Sequence, residues 1–171
     1  MKKVLLFSLL ASSLVSTSVF SQQDKSKRPS PPDSVTQTVA SGLTITINYS
    51  QPSVKGRTLG KEIAPYGKVW RTGANEATAF EISKDALVEG QPLSAGKYGL
   101  YTIPDENEWT VIINKGWSQS GLAYKEGDDV LRVKVKPTKA AAFTEKMTFT
   151  IDKTGKVSLL WADTQASFTV K

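Results

Sequence analysis

The chain contains no cysteine and no histidine. The first absence excludes disulfides, thiolate nucleophiles and Cys-ligated zinc or iron–sulfur sites. The second excludes Ser-His-Asp and Cys-His couples, His-ligated metals and imidazole acid–base chemistry. What remains is carboxylate, lysine, tyrosine and hydroxyl chemistry, or binding alone. Charge of one sign is also scarce. Among 171 residues, 22 Lys+Arg stand against 16 Asp+Glu, and the formal +6 is spread in mixed sign along the chain. That balance reads as solubility and weak attraction to anionic surfaces, not as a nucleic-acid footprint.

A long apolar run is also missing, except near the N-terminus. Lys2 and Lys3 precede Val4–Leu10, and a Ser-rich stretch ends at Val19-Phe20-Ser21. Basic, apolar and small-residue regions in that order are a secretory leader over residues 1–21. Five serines interrupt the apolar run, so it makes a poor membrane span, and no stable span is expected after cleavage. The expected address is periplasmic or secreted. Residues 22–34 (QQDKSKRPSPPDS) are polar and Pro-rich and read as a disordered linker. Residues 35–171 then have the size of one domain.

Strand periodicity runs through that domain. Leu43, Ile45, Ile47 and Tyr49 alternate with Thr44, Thr46 and Asn48. Leu131, Val133 and Val135 alternate with Arg132, Lys134 and Lys136, and Met147, Phe149 and Ile151 with Thr148 and Thr150. Each segment is apolar on one side and polar on the other, as in an antiparallel sheet with one wet face. Further strands are expected at residues 78–83, 97–103, 108–114, 157–161 and 166–170. The turns between them include Lys153-Thr154-Gly155-Lys156. Residues 139–146 and 60–64 are the only places for a helical turn. The fold class is therefore all-β: an antiparallel β-sandwich of immunoglobulin-like or jelly-roll connectivity, with one or two short helices at most.

Several motifs fail on inspection. Gly56–Lys61 (GRTLGK) has one residue too few between its glycines for a phosphate loop, and Glu62 stands where a hydroxyl ligand for Mg²⁺ belongs. Gly90–Lys97 has one residue too many. The acidic groups Asp105, Glu106, Glu108 and Glu126, Asp128, Asp129 lack EF-hand spacing and read as solvated loop charges. No metal, cofactor or catalytic residue is assigned.

The most unusual segment is Pro65–Thr78 (PYGKVWRTGANEAT). Trp70, Arg71, Asn75 and Glu76 crowd one turn around Gly73. Such a turn either closes on itself, with Arg71 paired to Glu76, or offers the Arg71 fork and the Asn75 amide to a ligand. Arg57 is a candidate second cation. Trp117 and Tyr124 flank the Gly/Ser loop 116–123 and are candidates for stacking on a sugar face or a partner. The expected ligand is a small anion or a glycan, and no nucleic acid.

The blocks YSQPSVKGR (49–57), PYGKVWRTGANEAT (65–78), LSAGKYGLYTIP with EWTVIIN, and VLRVKVKP resemble an uncharacterised family of secreted bacterial proteins, a domain of unknown function. The resemblance spans roughly residues 49–161 and implies an all-β exported domain. It carries no activity, cofactor or catalytic residue. The leading expectation is a non-catalytic ligand- or glycan-binding module. The alternatives are a metal-independent hydrolase using Glu76 and Glu81, which needs no histidine, and a purely structural envelope component.

Overall fold

The computed structural model describes residues 24–118 and 120–171. The expected leader, residues 1–21, lies outside them. Ten strands follow in order: β1 (Pro32–Thr38), β2 (Thr44–Ser50), β3 (Thr78–Ile82), β4 (Ala86–Val88), β5 (Gln91–Leu93), β6 (Gly96–Ile103), β7 (Trp109–Asn114), β8 (Asp129–Val135), β9 (Thr138–Ile151) and β10 (Lys156–Thr169). Among the described residues, helix is confined to 3-10 turns at Lys25–Lys27 and Glu126–Asp128.

Six strands form one antiparallel sheet in the order β1-β2-β3-β6-β7-β8. The short hairpin β4-β5 is inserted between β3 and β6, and β9 pairs with β10 as a separate ribbon. The fold is thus all-β and antiparallel, as the alternation requires. The connectivity differs from both forms expected. Each strand of the large sheet lies beside its neighbour in sequence, the β4-β5 insert aside, so the sheet is a meander with no Greek-key crossover. Local connections close a sheet at lower loop entropy than long returns, and nothing in the alternating pattern distinguishes the two.

The apolar sides of the six strands face the β9-β10 ribbon. Ile45, Ile47, Phe80, Leu100, Val111, Ile113 and Val133 are buried in one cluster with Met147, Phe149, Leu159, Trp161 and Phe168. Aromatic pairs join the layers: Tyr49 meets Phe149 edge-on at 5.0 Å, and Phe80 meets Phe168 at 6.0 Å. The Tyr49 hydroxyl accepts from the Phe149 backbone N–H at 3.1 Å and donates to Asp33 at 2.7 Å. One buried phenol thereby ties β2, β9 and β1 together.

Four local expectations change. β1 begins at Pro32, inside the segment read as a disordered linker, because Pro32–Thr38 pairs residue for residue with Ser50–Thr44. Residues 139–146 are strand, not helix: Thr144 pairs with Ala162 and Lys139 with Thr164, with Ala140–Phe143 bulging between. Residues 157–161 and 166–170 belong to one long strand, apart from Val170 at its end. Residues 60–64 form turns without a helix.

Candidate functional site

The outer face of the large sheet carries the polar halves of the alternating strands. Strand register places Asn48, Ala79, Gly99, Asn114 and Asp129 in one row across β2, β3, β6, β7 and β8. The middle of that row is built from the two smallest side chains. Gly99 is small because the loop after β7 lies on it: a Cβ there would stand 2.6 Å from the Gly116 carbonyl oxygen. Asn114, fully buried, fixes the loop. Its amide nitrogen donates to the Lys125 carbonyl at 2.9 Å and to Asp129 at 2.7 Å, and its oxygen accepts from the Gly116 N–H at 2.8 Å.

Seating Gly116 on the sheet sets Trp117 at the edge of a groove. Trp117 is 40% exposed, and the Lys97 ammonium stands 4.4 Å from its ring centroid. Lys97 in turn lies 3.8 Å from Glu81. The groove floor is Asn48, Ala77 and Ala79, and its far wall is Glu76 with Lys25 and Arg28. Its volume is about 210 Å³. A second recess of about 440 Å³ opens on the other side of the same Arg28–Glu76 contact, reaching Asn75 and Ser120.

Glu76 is the charged centre of the wall. One Arg28 nitrogen donates to both its oxygens, at 2.9 and 3.1 Å, and Lys25 lies 3.2 Å away. The Arg28 hydrogen bond is the main reason its carboxyl is pulled down to about 2. The expected Arg71–Glu76 pair is not formed. The partner comes instead from the arm before β1, which the sequence places in a linker. The Asn75 amide also holds that arm, donating to the Ser30 carbonyl at 3.0 Å.

The turn itself is a tight corner. Thr72 and Asn75 both sit at positive φ, 52° and 60°. Left-handed backbone is unusual for a β-branched residue. Buried Thr72 is held there by its hydroxyl, which donates to Thr102 at 3.1 Å, and by its carbonyl, which accepts from the Thr78 hydroxyl at 2.8 Å. Gly73 lies within this bend without needing a positive φ, and a Cβ there would press within 2.8 Å of the Thr78 hydroxyl. Trp70 faces inward. It stacks on Trp161 with ring centroids 5.3 Å apart, and its indole N–H donates to the Gly73 carbonyl at 3.1 Å.

The remaining candidates disperse. Arg57 folds back on its own loop, donating to the carbonyls of Ser53 at 2.7 Å and Val54 at 3.1 Å. Arg71 makes no ion pair among the described residues. Its stem is covered by Gly121, and its buried Nε has no hydrogen-bond partner. Tyr124 is an anchor beneath the loop. Its ring lies 5.0 Å from Tyr101, and its hydroxyl donates to Asp129 and accepts from Arg132, both at 2.9 Å. Burial, followed by the hydrogen bond to Asp129, pushes this phenol up to about 12.

A family model described as a protein of unknown function (DUF2911) matches residues 30–170. The chain belongs to the DUF2911 family. No curated protein and no solved structure matches it. The DUF2911 segment contains the meander, the ribbon, the corner and Glu76. It does not contain Lys25 or Arg28.

Of the seven candidate residues, the structure brings Asn75, Glu76 and Trp117 together around one pair of recesses. Sequence reasoning missed Lys25, Arg28, Asn48 and Lys97. Asn48 and Lys97 were accessible in principle, since both occupy outward positions on well-patterned strands. Among the described residues, no group of three or more carboxylates is placed to hold a metal ion. No helix among them is long and apolar enough to cross a membrane.

Proposed function

We propose that this chain is an exported, non-catalytic binding domain whose outer-face groove holds a glycan or a similar small polar ligand. The observation that carries the reading is Trp117, an indole partly open to water beside a floor of alanines and the amide of Asn48. A flat aromatic edge beside small residues and planar hydrogen-bonding groups suits a sugar ring, whose C–H face is apolar and whose rim is hydroxyl. Export is supported by the leader pattern of residues 1–21.

The hydrolase alternative finds less support. Two-carboxylate hydrolysis needs one group that carries a proton near neutral pH. Glu76 is held ionised by Arg28, and Glu81 is engaged by Lys97. An anionic ligand is also poorly served, since Arg57 is spent on its own loop and Arg28 on Glu76.

Titration of the mature chain against an oligosaccharide panel tests the proposal. Trp117→Ala is expected to weaken binding of any hit by about tenfold or more, the worth of one aromatic stacking contact, with the melting temperature unchanged. A panel without a single hit, or a hit that Trp117→Ala retains at full strength, would refute it.

A further inference from the structure

The arm before β1 is held weakly for a segment that lies across a groove. None of the residues of its 3-10 turn is buried. Beyond the Arg28 and Lys25 contacts, its tie to the sheet is polar: the Ser30 carbonyl to Asn75, and the Pro31 carbonyl to the Gln51 N–H at 2.9 Å. Arg28 and Glu76 line both recesses, so their contact is a bar across what is otherwise one cleft. Ion pairs this exposed to water contribute little net stability, so a ligand with modest contacts can displace the arm.

The charge left behind is decisive. With the arm in place, Lys25, Arg28 and Lys97 face Glu76 and Glu81. With the arm lifted away, Lys97 still neutralises Glu81, and Glu76 alone remains unpaired. The vacated wall is therefore a single carboxylate.

We propose that Glu76 is a recognition group for an ammonium-bearing sugar, and that Lys25 and Arg28 occupy its place from within the chain. This rests on the glycan reading of the same groove and names its ligand class. The Lys25 ammonium, 3.2 Å from Glu76, marks where the ligand's amine sits. The apolar face of the sugar then lies toward Trp117, and Asn48 meets its hydroxyls. The arm acts as a tethered competitor that lowers apparent affinity in proportion to its occupancy.

The test compares a tetramer of glucosamine with its fully N-acetylated counterpart, by calorimetric titration at neutral pH against the mature chain, Glu76→Gln and Lys25→Ala/Arg28→Ala. The wild type is expected to prefer the amine form by about tenfold, the scale of a charge-assisted hydrogen bond. Glu76→Gln, nearly isosteric, should erase the preference while keeping the weaker binding. The double variant should bind the amine form about two- to fivefold more tightly, because a weak exposed competitor has been removed. Equal binding of both tetramers, unaffected by Glu76→Gln, would overturn the ammonium assignment and leave the groove reading intact. Failure of both tetramers on every variant, while another oligosaccharide of the panel binds, would overturn the ammonium assignment alone; failure of the whole panel would remove the groove reading with it. An unchanged affinity in the double variant would overturn the competitor role of the arm.

Discussion

The two faces of the large sheet are built by different physics. The inner face meets β9-β10 through aromatic and branched side chains, and it is sealed. The outer face carries Ala79 and Gly99 at its centre, a small buried apolar cluster with Tyr101 and Ile112 beside them, amides and charges around, and a loop and an arm laid over it by hydrogen bonds. Apolar burial is non-directional and large, so the inner face supplies stability whatever the ligand. Hydrogen bonds and exposed ion pairs contribute little net free energy but fix geometry, so the outer face is where side chains are placed for use.

The comparison breaks first at Trp161. This residue is almost fully buried, stacks on Trp70, and keeps its indole N–H without a partner. That the site tolerates an unsatisfied donor shows how far apolar contact dominates there. Trp161→Ala is expected to cost ~3–5 kcal/mol, the range for deleting a buried aromatic, measured by urea denaturation. A loss no larger than that of an outer-face substitution would mean that the ribbon is not the main support of the fold.

Much of this division was legible in the sequence, and the exceptions have physical causes. β2 and β8 alternate because one face is buried and the other is wet, whereas β3, β6 and β7 are buried on both faces along much of their length. β1 shows no such pattern since nearly all of it is exposed, and its pairing is dictated by β2 rather than by its own side chains. Ala140–Phe143 resembles a helical turn by composition, but the ribbon partner overrides that weak preference. The corner at residues 70–76 was recognisable as unusual, yet its division of labour was not. Trp70 turns inward while Asn75 and Glu76 turn outward, and the Arg28 partner of Glu76 lies 48 residues away. An ion pair across such a separation leaves no local pattern to read.

A middle-sized effect is expected at Asn114, where the outer face comes nearest to the inner one in burial. Its three hydrogen bonds hold residues 115–118 and 120–125 against the sheet. Asn114→Ala leaves the Gly116 N–H and the Lys125 carbonyl without that partner, at a cost of ~1–3 kcal/mol. Amide hydrogen exchange should show the loss of protection confined to that loop and to Trp117, with β9 and β10 unchanged. Loss of protection spread evenly over both layers would show that the two faces are one cooperative unit.

The smallest effect belongs to Glu76, and its pH dependence gives the sharpest contrast with the core. The folded carboxyl lies at about 2, below its usual 4.5, so the ionised form is favoured in the folded chain. Its contribution is therefore present in full above about 4.5 and is lost as the pH falls toward 2. About half of the Glu76 side chain faces water, so screening holds the contribution below about 1 kcal/mol. The stability difference between the wild type and Glu76→Gln, read from urea midpoints, should be small and level from pH 7 to about 5 and vanish near pH 2. A difference that persists unchanged into acid would show that Glu76 stabilises the arm through shape rather than charge, and an ammonium group could not then be what the carboxylate is placed to receive.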